Sequence, residues 1–372
     1  MALSRLGCFI ELVDIRNRDN EFSVDSLKGI SINKVLTPTK ANTNNLNLKS
    51  YKILKHNWFT YSLVTSRNGN KISLAYNDGE DCIVSSINPV FKVKDETKLL
   101  PRYLMMFFNR TEFDRYARFN SWGSARETFS WNDFCNIELN IPSIEIQKKY
   151  VAIYEAMLDN LKAYENKLED IKTVFTGLLD KCKKQYLHFP ITKLTFERKE
   201  TNKIHLGANY LYGVGKEGFI KPKQLRQDNS LYKCNVFKKG DLVYNPSVLY
   251  AGAIALNTVY DIGICTEEYI VLHVCDEKIL KPEFLFAWLK RSECGRFIDF
   301  KSVDSVRNRV YYKDLNAVEI PLPPINSQSD FVNIFNCYLF RKKSITKLKE
   351  MIDHICPILV KGAVLEAEAQ NQ

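Results

Sequence analysis

Four things are missing from this sequence, and each absence closes off a class of function. Ten cysteines are present, yet none forms a CxxC pair and no Cys/His run has the spacing of metal ligands, which excludes a zinc finger or ribbon. Buried free thiols in a reducing, cytoplasmic setting are the expectation. No apolar run reaches the 18 or so residues needed to span a bilayer, and Leu6-Gly7-Cys8 lacks the charged and apolar segments of a cleaved leader. Glycine-rich phosphate loops are absent too. Gly213-Val-Gly215-Lys-Glu-Gly218 fits the dinucleotide fingerprint, but Phe-Ile-Lys-Pro222 follows where a helix should. Lastly, the five histidines (His56, His188, His205, His273, His354) are scattered, with no nucleophile, base and carboxylate in a defensible order.

Two weaker catalytic patterns also fail. Tyr244-Asn245-Pro246-Ser247 is partway to the Asn-Pro-Pro-aromatic loop of amino-methyltransferases, but lacks the second proline and the closing aromatic. Asp81 with Glu96 and Lys98 mimics a nuclease triad, but the matching stretch Asp276-Glu277-Lys278 breaks the spacing. No catalytic residue, metal ligand or cofactor is assigned.

What is present is a long amphipathic segment, from Pro142 to about Gln185. Apolar residues three and four apart form a stripe at Ile144, Val151, Tyr154, Leu158, Leu161, Tyr164, Leu168, Ile171, Phe175 and Leu178. Consecutive steps of three from Leu158 to Tyr164 shift its phase, a local stammer. At about 1.5 Å per residue, such a helix is a rod roughly 60 Å long.

The segment returns 181 residues later. Ile141-Pro142-Ser143-Ile144 and Gln147 correspond to Leu322-Pro323-Pro324-Ile325 and Gln328, and Val151, Tyr154, Leu158 and Ile171 to Val332, Phe335, Leu339 and Ile352. Upstream, Arg126, Trp131 and Asp133 match Arg307, Tyr312 and Asp314, while Tyr61 and Cys82 match Tyr244 and Cys265 at an offset of 183. The chain is a tandem duplication of one unit, a globular part followed by a helix. Its parts are residues 1–142, a first globular domain; 143–186, a central spacer helix; 187–323, a second globular domain; and 324–372, a second spacer helix and tail. Pro357 is expected to kink or stop that last helix near Cys356, with a frayed tail beyond.

Charge follows the same division. Residues 1–142 hold 19 Lys/Arg against 15 Asp/Glu, and residues 186–323 hold 20 against 16, so most of the net +10 lies in the globular parts. Two phosphate-facing domains joined by nearly neutral spacers have this distribution, as does an ordinary basic surface.

Within the first part, strands are expected at residues 8–16, 30–33, 58–65, 82–86 and 90–93, and one helix from Pro101 to about Arg118. Ser66-Arg67-Asn68-Gly69-Asn70-Lys71 reads as a hairpin tip. Its Arg67, Asn68, Asn70 and Lys71 are side chains that reach base edges and phosphates, although a solvated polar turn has the same composition. Asn120 and Arg126 lie in a glycine-centred loop; Arg126 recurs as Arg307, as a phosphate contact or as a structural partner of a carboxylate such as Asp133. The second part repeats the plan with one helix from Pro282 to about Phe297. Its candidate contacts are Tyr244, Asn245, Ser247, Tyr250, Lys301, Arg307, Asn308 and Arg309. Framework positions repeat while loop tips do not, as for one scaffold presenting two chemistries.

The opening Leu6-Gly-Cys-Phe-Ile-Glu-Leu-Val-Asp-Ile-Arg16, the stretch Arg126 to Pro142 with Gln147, and its copy Arg307 to Pro323 with Gln328 resemble the specificity subunit of type I restriction-modification enzymes. The likeness covers essentially the whole chain in the order domain, long helix, domain, long helix. It implies an α+β fold of two similar mixed α/β target recognition domains and two long antiparallel helices, a coiled-coil spacer with pseudo-twofold symmetry. It also implies a non-catalytic subunit whose domains each read half of a bipartite double-stranded DNA site. The helices would set the spacing and dock methyltransferase (modification) subunits, two by expectation, with restriction or translocase subunits as further partners. The helix faces assigned to packing and docking are Ile144, Val151, Tyr154, Leu158, Leu161, Leu168, Ile171 and Phe175, and Ile325, Val332, Phe335, Leu339, Ile345, Leu348 and Ile352. The rival readings are a stand-alone DNA adenine methyltransferase or nuclease and a protein-binding helical scaffold.

Overall fold

The computed structural model describes residues 3–39, 46–66, 68–222, 231–301 and 309–370, leaving aside the side chain of Lys301. The chain forms two compact units, the first of Met1–Tyr164 with Ser344–Gln372 and the second of Glu165–Lys343.

In the first unit, β1 (Ile10–Val13), β2 (Phe59–Tyr61), β3 (Leu74–Tyr76) and β4 (Val90–Val93) form an antiparallel sheet in the order β1-β4-β2-β3. Aromatic and β-branched residues suit a pleated surface that is covered on a face. Here the cover is an aromatic cluster: Phe59 stacks on Phe91 at 5.1 Å, Tyr61 on Phe134 at 4.8 Å, and Phe108 meets Phe113 at 4.7 Å. In the second unit, β5 (Thr195–Glu197), β6 (Leu242–Tyr244), β7 (Ile254–Leu256) and β8 (Ile270–Val274) repeat the arrangement as β5-β8-β6-β7. Its core is more aliphatic, built on Leu242, Ile254, Leu272, Leu285 and Ile320, with Phe284 and Trp288.

The duplication holds to the level of single hydrogen bonds. Gln147, fully buried, accepts from the Leu100 N–H at 2.9 Å and donates to the carbonyls of Lys98 and Pro142 at 2.8 and 2.9 Å. Gln328, equally buried, accepts from Lys281 N–H at 2.8 Å and donates to Ile279 and Pro323 at 2.8 and 2.9 Å. Each glutamine ties the start of its long helix to the start of a short one that opens on proline at its first turn, Pro101 or Pro282.

Both short helices end sooner than their apolar runs predict. The expected single helix of Pro101 to Arg118 is two, Pro101–Phe108 and Thr111–Phe119; its copy is Pro282–Leu289 and Ser292–Lys301. An arginine makes each break. Arg110 lies 3.9 Å from the centre of the Phe107 ring and donates from Nε to the Phe107 carbonyl at 3.1 Å. Arg291 does the same on Trp288, at 3.3 Å in both respects. Folded back, each side chain takes a carbonyl of the last turn and covers the helix end.

The central helix spans Ile144–Gln185 and the C-terminal helix Ile325–Gln370. All fifteen face residues expected from periodicity are buried or half-buried. In the first unit Tyr150 packs on Gly362 and its hydroxyl donates to Glu366 at 3.1 Å, while Val151 and Tyr154 share a cluster with Ile352, Cys356, Leu359 and Val360. The two segments run antiparallel. In the second unit Phe175 stacks on Phe335 at 5.2 Å.

The C-terminal helix runs on past Pro357 to Gln370. A mid-helix proline forfeits a backbone bond and crowds the preceding turn, at roughly 3 kcal/mol. Leu359, Val360, Ala363 and Ala367, all buried in the core of the first unit, offset that cost and carry the helix on.

Candidate nucleic-acid interface

At one edge of the first unit, β2 and β3 are joined by residues 62–73, the loop that holds the expected hairpin tip. The turn is wider than a two-residue hairpin: Asn68 N–H donates to Thr65 O at 3.0 Å, Lys71 N–H to Asn68 O at 3.3 Å, and Gly69 takes a left-handed φ of 61°. At the loop's base Ile72 N–H donates to the carboxylate of Asp114, which also accepts two 2.7 Å bonds from the buried Lys34 ammonium. Desolvation pushes the Lys34 pKa down, and the hydrogen bond and charge of Asp114 oppose it.

A second hairpin, Ser121–Trp122 with Thr128–Phe129, is clamped onto this loop. The Thr65 N–H and hydroxyl both donate to Glu127 O, at 3.0 and 3.2 Å, and Val64 bridges to Thr128. Gly123 makes the turn possible, because a Cβ there would lie 2.2 Å from the Arg126 carbonyl. Asn70, Lys71 and Arg126 are exposed on this edge and Asn68 is half-buried, its amide donating to Val64 O at 3.3 Å. Asn120 is spent on the helix before it, donating to Tyr116 O at 3.0 Å. Asp133 caps the short helix Trp131–Cys135 together with Ser130, its carboxylate accepting from the Ser130 hydroxyl at 2.6 Å. Arg118 and Glu127 form an ion pair. Arg67 lies outside the described residues.

The second unit presents a different surface. Asn245, Ser247 and Arg309 line a groove of about 750 Å³ with Lys199, Asn235, Tyr311, Lys313 and three carboxylates, Glu197, Glu267 and Glu268. Asn245 shapes the rim by accepting from Ser247 N–H at 3.0 Å, and Val310 N–H holds the opposite wall to Pro246 O at 3.1 Å. Tyr250 is exposed and does not line the groove. Tyr244 does not belong to this surface: it is fully buried, donates to Val310 O at 3.1 Å, and burial raises its pKa. Tyr61, its match in the first copy, likewise donates to Phe129 O at 3.4 Å, so the pair holds the framework and is unavailable to a base. Arg307 and Asn308 fall outside the described residues, as does the side chain of Lys301.

Three exposed aromatics and the groove carboxylates escape a reading by residue type. Phe119, Trp122 and Phe300 are 76, 64 and 74 % exposed. For the two phenylalanines the signal was in the register, because Phe300 follows Phe119 by 181 residues. The Gly213 to Gly218 fingerprint is a strand hairpin, Gly213–Gly215 with Gly218–Ile220, and the described residues directly after it, 221–222, are not helical. Asp81 accepts from His56 N–H at 2.8 Å, and Lys98 pairs with Asp95. Among the described residues no group of His, Cys, Asp and Glu could hold a metal ion, and no helix is long and apolar enough to cross a membrane.

Sequence comparison also finds two copies of one domain. Residues 11–173 and 180–352 each match the model of the type I restriction modification DNA specificity domain. The chain belongs to that family. Two specificity domains in tandem make it a specificity subunit, a DNA-recognition component and not a catalyst, and the stand-alone methyltransferase, nuclease and scaffold readings find no support. The fold is shared with a crystal structure of a type I restriction-modification system S subunit from M. genitalium, at a TM-score of 0.63 and 11% identity over 98% of this chain and 95% of that one. A structure from a study of complex assembly and conformational transition of the type I R-M system matches at 0.43 and 14% identity, covering 98% and 97%. The HsdS subunit from Thermoanaerobacter tengcongensis matches at 0.39 and 14%, covering 98% and 96%. No curated protein sequence gives a significant match.

Proposed function

We propose that each unit of this specificity subunit reads one half of a bipartite double-stranded DNA target, and that the long helices set the half-site separation and dock two methyltransferase subunits. One observation carries the reading: the frameworks of the two units agree bond for bond at Gln147 and Gln328, Tyr61 and Tyr244, and Arg110 and Arg291, while their polar edges differ. The first edge offers Asn68, Asn70, Lys71 and Arg126, with Arg67 from the same loop. Asparagine suits adenine and the cations suit guanine or phosphate. The second offers Asn245, Ser247, Tyr250 and Arg309, with Lys301, Arg307 and Asn308 from the neighbouring loop. Its Glu267 and Glu268 are acceptors for a cytosine amino group.

The test is a DNA selection on the full chain coexpressed with a methyltransferase subunit. Two short motifs at a fixed separation are expected, and exchanging residues 1–142 for those of another specificity subunit should change only one of them. A single contiguous motif, or no enrichment, would overturn the reading.

A further inference from the structure

Phe119 and Phe300 are the two most exposed phenylalanines among the described residues, and they occupy the same place in both copies, the last turn of the second short helix. Single exposed apolar residues are ordinary. These differ because the repeated pairs Gln147 and Gln328 and Tyr61 and Tyr244 are buried, whereas this large apolar pair recurs in the open. In the first unit Phe119 meets Trp122 edge to face, ring centres 6.5 Å apart at 67°, making a two-ring ridge. Trp122 belongs to the hairpin that Thr65 clamps to the loop carrying Asn68 and Lys71, so ridge and polar edge form one surface. In the second unit the helix bearing Phe300 lies against the turn Leu249–Ala251 so closely that a Cβ on Gly295 would come within 2.4 Å of Tyr250 O. Phe300 stands in the last turn of that same helix.

An apolar ridge on the edge that exposes Lys71 and Arg126, with Arg118 already paired to Glu127, fits a polyanion with apolar faces inside it better than it fits a protein surface. Duplex DNA has both, phosphates outside and stacked bases within. Resting on the DNA-reading function above, we propose that Phe119 with Trp122, and Phe300 in the second unit, are wedges that enter a base step of their respective half-sites. Wedges of this kind trade the cost of unstacking one step for a bent duplex that meets more of the protein. Cations at the rim hold the backbone while the ring enters.

The experiment uses the full chain copurified with its methyltransferase subunit and the duplex recovered by selection, with 2-aminopurine placed in turn at each position of both half-sites. The wild type should raise fluorescence at one step per half-site. F119A/W122A should abolish the rise in one half only and weaken binding roughly 5- to 100-fold, as for the loss of a base-stacking aromatic. F300A should do the same in the other half, and F119Y/W122F should restore it. Thermal melts of all variants should match the wild type, since the rings are exposed. Tight bipartite binding with no rise that depends on these rings, or alanine variants within twofold of wild type, overturns the wedge and leaves the DNA reading standing. Loss of copurifying methyltransferase with DNA binding intact overturns it in favour of a protein contact. If the wild type enriches no DNA, the reading beneath the proposal fails as well.

Discussion

Gln147 and Gln328 show how much one side chain can hold. Each is fully buried and makes three hydrogen bonds that join two helix starts, so replacing either with alanine strands a buried N–H and two carbonyls. Each group left unsatisfied costs about 1–3 kcal/mol. Gln147→Ala should therefore lower the melting temperature of the first unit and Gln328→Ala that of the second, resolved by hydrogen exchange. Lys290 makes a pH-dependent prediction. Its ammonium donates to the carbonyls of Lys216 and Gly252 at 2.6 and 2.7 Å, and desolvation pushes its pKa from 10.5 down to about 8. Because the folded value lies below the unfolded one, the unfolded chain binds more protons between them. Lys290's contribution is then present above 10.5 and lost as pH falls through about 8. The difference in melting temperature between wild type and Lys290→Met should rise between those values, and a flat difference would contradict it. The glutamines were legible in the sequence because their register repeats. Tyr244 was misread because its neighbours Asn245 and Ser247 are polar, and residue type alone does not distinguish a buried hydroxyl on a strand from an exposed one on a loop.

Elements were legible where periodicity speaks and obscure where a local competitor decides. The long helices follow from stripes at three and four, and both appear with their expected faces inward. The short helices split because Arg110 and Arg291 fold back on the preceding aromatic, an event set by side-chain rotamer and invisible to an apolar pattern. Pro357 does not stop its helix, one of the two outcomes expected of it. Its intrinsic penalty is real, but the four buried residues after it lie on one face of a helix already nucleated over more than thirty positions. Pro357→Ala should thus stabilise the first unit, by up to about 3 kcal/mol less whatever packing the ring supplies. Chemical denaturation read in that unit measures it, and an unchanged midpoint would show that the helix pays nothing there.

For the whole molecule, sequence repeats and compact units do not share boundaries. The first unit takes Ser344–Gln372 from the far end of the chain. There Leu359, Val360 and Ala363 bury against the first core, and Glu366 bonds Lys149 at 2.8 Å. A chain ending at Lys343 should keep a protected second unit while the first becomes open to exchange and protease; equal protection of both would refute this. Offsets in the sequence revealed the duplication but not this exchange of ends, because a helix stripe records that a partner exists without saying which segment supplies it.

That borrowed end also sets an order in time. On the ribosome, chain emerges at about 5–20 residues per second, so the first unit, begun at the outset, waits roughly 10–35 s between Tyr164 and Ser344 for the strand of chain that completes it. The second unit needs no such delay. The later-made half thus matures first, and a transcript cut short yields a molecule with a finished second reader and an unfinished first one.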